Sequence, residues 1–202
     1  MTNHNNMGLS FHYKGKLKKP QYLKKIIEEV TDICKANKWE FAILEENFPN
    51  NTFTIEPNID KVYGIFFTPP KCETVDLTFL SNGKLCAVYN LELNKNLKKL
   101  EEDEYLYYLS VKTQYCGPGI HKILIPFFDY LNKNYFEEFE FTDEGQFWET
   151  RDEKLLEETF DRYSNLINSL SRVLEYIPIL EGESVENYIL RMAEIVKNNN
   201  ND

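Results

Sequence analysis

Apolar and polar residues alternate with period two at Leu9, Phe11 and Tyr13 against Ser10, His12 and Lys14, which predicts a strand with one buried face. Pro20 suits a first helical turn. Leu23, Ile26, Ile27, Val30, Ile33 and Cys34 then recur at helical spacing as far as Asn37 and predict a helix lying across a sheet. Trp39, Phe41 and Ile43 start a second strand, and the Pro- and Asn-rich run FPNNTFTIEPNID reads as a loop. In VYGIFFT both alternate sets are apolar, which predicts a central strand, and the following TPPKCE must turn.

Thr74 to Leu80 and Lys84 to Asn90 are joined by Ser81-Asn82-Gly83, which predicts a hairpin. NKNLKKLEEDE is too charged for core and predicts an exposed connection or short surface helix. From Tyr105 to Gln114 the alternation is the longest in the chain and predicts a strand that enters the Gly117-Pro118-Gly119 junction. Ile120, Ile123, Leu124, Phe127, Phe128, Leu131 and Tyr135 follow as the broad apolar face of a central packing helix, kinked at Pro126. Phe136, Phe139 and Phe141 interleave with glutamates and predict an edge strand. Thr150 and Glu153 have the spacing of a capping box, ahead of a long helix to about Tyr176 with a possible break near Ser164-Asn165. Pro178 and Gly182 end that helix, and Ser184 caps a last one.

These elements predict an α+β fold: a mixed, largely antiparallel sheet of about six or seven strands, two helices packed on one face, and a C-terminal helical extension. The expected boundaries are a disordered tail at 1–6, a core domain at 7–146, a helical extension packed on it at 147–197, and a disordered tail at 198–202.

Charge narrows the function. The net charge of −10, from 33 acidic and 23 basic side chains, argues against unaided binding to nucleic acid or to an anionic membrane and is compatible with a basic protein partner. No run reaches the length of a membrane span, and MTNHNN has neither the charged start nor the apolar centre of a secretory signal, so a cytoplasmic location is expected. Cys34, Cys72, Cys86 and Cys116 show no CxxC and no His at zinc-finger spacing; four thiols are expected, with no metal and no cofactor.

Three groups of residues could carry chemistry. Cys116 precedes a helix start, where the positive helix end would lower a thiol's pKa, and His121 lies five residues on. A papain-like arrangement needs a later histidine and an orienting Asn, and no histidine follows His121, so this junction reads as an organiser of the core. Asp143, Glu144, Gln146, Trp148 and Glu149 put carboxylates beside an aromatic ring, suited to acid–base work, to a hard cation or to a binding surface. TDEG also reads as a turn in which Asp143 bonds its own backbone and Gly145 takes positive φ. Finally, the alternation places Ser10, His12, Asp76, Thr78, Lys112 and Gln114 on a polar sheet face.

The dinucleotide, Walker, GxSxG and HExxH signatures are missing. LTFLSNG, SVKTQYCGPGIH and DEGQFWET resemble segments of a set of uncharacterised bacterial proteins, over most of residues 7 to 160. That resemblance implies a bacterial cytoplasmic protein and assigns no functional residue. The expectation is therefore a non-enzymatic protein-binding module, immunity-like, with a basic partner such as a toxin, binding through Asp143, Glu144, Gln146, Trp148, Glu149, Lys112 and Gln114. The alternative is a small hydrolase or transferase using Asp143 and Glu144 with His121 or Lys112.

Overall fold

The computed structural model describes residues 9–89, 91 and 104–199. The chain divides into two compact units, Met1–Phe160 and Asp161–Asp202. The first is the α+β domain. Its strands are β1 (Ser10–Lys14), β2 (Glu40–Ile43), β3 (Tyr63–Thr68), β4 (Val75–Phe79), β5 (Leu109–Lys112) and β6 (Glu140–Asp143). Its helices are α1 (Tyr22–Asn37), the short turns α2 (Glu104–Tyr107) and α4 (Phe147–Thr150), α3 (Gly117–Tyr135), and the start of α5 (Glu153–Tyr176).

The six strands form two antiparallel sheets of three, ordered β5-β1-β6 and β2-β3-β4, instead of one continuous sheet. The reason lies just beyond β1. Gly15 and Leu17 exchange backbone bonds with Leu85 and Gly83, so β1 reaches the turn after β4 by single bridges and never runs alongside β4 itself. Tyr13 spans the gap: its buried hydroxyl donates to Asp76 O at 2.8 Å and accepts Asp76 N–H at 3.1 Å, standing in for a strand partner. As the doubled apolar pattern predicts, β3 is central in its sheet, and β6 is an edge strand.

Helix α3 is the core. Leu124, Ile125, Phe128 and Leu131 are fully buried, and Phe128 meets Phe11, Tyr13 and Phe141 at centroid distances of 5.3, 4.6 and 5.3 Å. Its neighbour Phe127 meets Phe67 of β3 at 6.1 Å, edge to face, so one helix packs against both sheets. Pro126 sits on the exposed side, and the helix stays continuous through it. Helix α1 packs on β2 and β3 and ends as Lys38 enters the left-handed region and bonds back to Cys34 O and Lys35 O.

Two predicted strands are shortened. The Ser81-Asn82-Gly83 turn forms, with Gly83 N–H bonded to Leu80 O, but the second arm leaves the ladder after Cys86. Ala87 N–H turns to Leu106 O, and Leu80, Cys86, Leu91 and Leu106 close a separate apolar cluster. That same cluster makes Glu104–Tyr107 a helical turn: both alternate sets there are apolar, so the period does not favour a strand, and burial of Leu106 decides. The expected connection at 94–104 lies almost wholly outside the described residues, as does most of the expected terminal tails.

In the second unit α5 runs unbroken past Ser164-Asn165, and α6 (Val185–Asn199) begins at Ser184, whose Oγ accepts Asn187 N–H at 3.2 Å. The turn between them is held by Arg191, which donates to both Glu183 oxygens at 2.8 and 2.7 Å and to Pro178 O at 2.9 Å. The Arg191 guanidinium and the Leu180 N–H bring the Glu183 carboxyl down to about 2.

Candidate functional site

The pleat of β6 settles where the acidic loop points. Asp143 pairs with Phe11 and shares its inward face, whereas Glu144 follows on the outward face. Asp143 meets a second inward polar residue, His121, which occupies the α3 face of Leu124, Ile125 and Phe128. His121 Nε2 lies 3.1 Å from the Asp143 carboxylate, and His121 Nδ1 lies 2.8 Å from Thr113 Oγ1. Thr113 is anchored at the end of β5 by its N–H to Leu9 O.

The carboxylate is otherwise filled by backbone. Asp143 Oδ1 accepts Gly145 N–H at 2.7 Å, and Oδ2 accepts Phe147 N–H at 2.8 Å and Trp148 N–H at 3.0 Å. Both side chains are 0% exposed, with the His121 ring edge-on to Phe11 and Phe160. Burial by itself would raise the Asp143 carboxyl, but His121 and the Trp148 and Gly145 N–H groups outweigh it and bring it below its usual value. This is a sealed Thr-His-Asp chain that caps the α4 turn. Its hydroxyl, on Thr113, is fully buried and offers no accessible nucleophile.

The turn differs in detail from the expected one. Asp143 bonds its own backbone as predicted, but the left-handed residue is Gln146, at φ 58, not Gly145. Gly145 is needed for space: a Cβ there would stand 2.8 Å from Leu156 Cδ1 and 3.1 Å from Asp143 Oδ1 and His121 Nε2. The helix that follows is capped by Asp152, not Thr150, since Asp152 Oδ1 accepts the Lys154 and Leu155 N–H groups at 2.9 and 3.1 Å. Thr150 instead bonds back to Gln146 O at 2.6 Å.

Outside this network the loop is open. Gln146 and Glu149 are exposed, and Trp148 is half-buried, stacked on Phe141 at 4.3 Å with the Arg151 guanidinium 5.2 Å from its ring. Along the outer face of β5-β1-β6 the cross-strand row is Lys112, Ser10, Glu144. Glu144 Oε2 accepts Ser10 N–H at 2.8 Å, and Glu144 Oε1 lies 3.5 Å from His12 Nε2. His12 stacks against Tyr108 at 5.3 Å, and its Nδ1 is buried without a partner. Lys112 lies over the exposed ring of Tyr115 at 5.5 Å.

The expected polar face is thus divided. Ser10, His12 and Lys112 share it, but Asp76 and Thr78 belong to the other sheet, where Thr78 is fully buried and bonds Cys86 O at 2.7 Å. Gln114 is buried beyond the end of β5, with Oε1 unpartnered. Burial pushes the Asp76 carboxyl up to about 6. Cys116 and His121 make no pair: both ring nitrogens of His121 are taken by Thr113 and Asp143, while Cys116 Sγ faces Thr113 O at 3.0 Å.

Among the described residues no helix is long and apolar enough to cross a membrane, and no three His, Cys, Asp or Glu side chains are grouped to hold a metal ion. Comparison with family models, with curated proteins and with solved structures finds no match.

Proposed function

We propose that the chain is a non-catalytic, cytoplasmic protein-binding module whose partner is a basic protein, in the manner of an immunity protein neutralising a basic toxin. The observation that carries the reading is the β6 edge and the α4 turn that follows it. Gln146 and Glu149 are exposed beside the half-buried Trp148, and Glu140 is exposed on the outward face of β6, 3.0 Å from Lys14, on a chain of net charge −10. Exposed carboxylates along this edge with an aromatic ring suit an Arg- or Lys-bearing surface, the carboxylates steering approach and the ring supplying buried area. Asp143 and His121 hold this surface in place from beneath without touching a partner. Lys112 and Glu144 lie two strands apart on the outer face of the sheet, with Glu140.

The hydrolase or transferase reading needs Asp143, Glu144 and His121 to converge on an open cleft. It draws less support, because the first and last are sealed from solvent and Glu144 faces the other way.

The test is affinity capture from the source cell with the wild-type chain and with the double variant Glu140→Lys/Glu149→Lys, followed by binding of the retained protein in purified form. A basic protein held by the wild type, at least about tenfold tighter than by the variant and released by salt, is the expected result. Retention of no protein together with a co-purifying metabolite, or equal binding by the two chains, overturns the reading.

A further inference from the structure

Cys72 and Cys116 reach one another from different sheets. Cys72 follows Pro69-Pro70 in the turn between β3 and β4, and Cys116 lies between β5 and α3. Their sulfurs rest on consecutive carbonyls: Cys72 Sγ is 3.7 Å from Lys112 O, and Cys116 Sγ is 3.0 Å from Thr113 O. Glu73 fastens the turn there, since its N–H reaches Lys112 O at 3.4 Å and its Oε2 accepts Lys112 N–H at 2.7 Å. Each thiol is the first influence on the acidity of the other, as befits neighbouring side chains. Both are partly exposed, whereas Cys34 and Cys86 are fully buried.

We propose that Cys72 and Cys116 form a reversible thiol–disulfide site, oxidised by a low-molecular-weight disulfide of the glutathione class. Cys116 is the attacking residue. The neighbouring Cys72 thiol holds Cys116 below the usual thiol range, while Cys72 itself is pushed up by Cys116 and by burial.

The Cys116 thiolate bonds to one sulfur of the small disulfide and expels the other as a thiolate, which takes up a proton. Cys72 then loses its proton to solvent and attacks the Cys116 sulfur of the mixed disulfide. The Cys72–Cys116 bond forms and the second small thiolate leaves, to be protonated in turn. The two cysteines give up two electrons and two protons, and one small disulfide becomes two thiols. Such a bond suits a reducing compartment only as a transient, reversible state. It would tie the β3–β4 turn to the β5–α3 junction, beside the exposed Tyr115 and the half-buried Lys112.

The experiment treats the full chain with oxidised glutathione near neutral pH, traps free thiols with N-ethylmaleimide and maps the peptides. The expected product is a Cys72–Cys116 cross-linked peptide, with Cys34 and Cys86 still alkylated after unfolding, a Tm higher by about 3–10 °C, and full reversal by dithiothreitol. Cys72→Ser should stop at a mixed disulfide on Cys116, and Cys116→Ser should leave Cys72 largely unmodified. Absence of the cross-linked peptide from the oxidised wild-type chain, or oxidation of Cys34 or Cys86 ahead of the pair, overturns the proposal even if a variant fails to fold.

Discussion

The buried Asp143 and the half-buried Asp76 have opposite effects on stability. Asp143 is lowered by His121 and backbone donors, so its contribution is present above the ordinary aspartate value of about 4 and is lost as pH falls through the lower native value. Asp143→Ala would strand His121 Nε2 and three backbone donors, and should cost about 3–5 kcal/mol in urea denaturation at pH 7. Asp76 is raised to about 6 by burial. Its native state binds the proton more tightly than the unfolded chain does, so stability falls as pH rises from about 4 to about 6. Asp76→Asn should therefore stabilise the protein by roughly 1–3 kcal/mol at pH 7, and the gain should vanish near pH 4. A gain unchanged between the two pH values would show that burial of charge is not its cause.

At the scale of elements, short range and long range divide the work. The α4 turn owes its position to Asp143, and Gly145 leaves no room for a Cβ beneath it. Gly145→Ala should cost about 1–3 kcal/mol and accelerate hydrogen exchange at the Phe147 and Trp148 amides, which the Asp143 carboxylate binds. Asp152→Ala should cost about 1 kcal/mol by uncapping α5, with faster exchange at Lys154 and Leu155. Thr150→Ala should leave those two amides unchanged, since their acceptor is Asp152. Comparison of the two variants separates the observed cap from the one that the Thr150–Glu153 spacing suggests.

For the whole molecule, net charge and surface layout govern association. With −10 on the chain, the proposed binding to a basic protein should weaken steeply with salt, mainly through a slower association rate, and Glu140→Lys and Glu149→Lys should each flatten that dependence. Stopped-flow association at low and high ionic strength measures both effects. Insensitivity of the rate to salt would separate the partner from the acidic edge.

What the linear pattern determined by itself is what depends on neighbours in sequence. The faces of β1 and β3, the apolar surface of α3, the edge character of β6 and the bonding of Asp143 to its own turn follow from period, charge and the reach of one short side chain. His121 and Asp143 could each be seen as inward, one by its spacing from Leu124, Ile125 and Phe128, the other by its parity with Phe141. Their meeting could not, because it depends on how α3 lies across β6, and residues 22 apart carry no periodic relation. The same holds for Cys72 beside Cys116, for Tyr13 bridging to Asp76, for the strand that ends after Cys86, and for the turn at Glu104–Tyr107, where burial of Leu106 in a remote cluster outweighed a local alternation that was apolar on both sides.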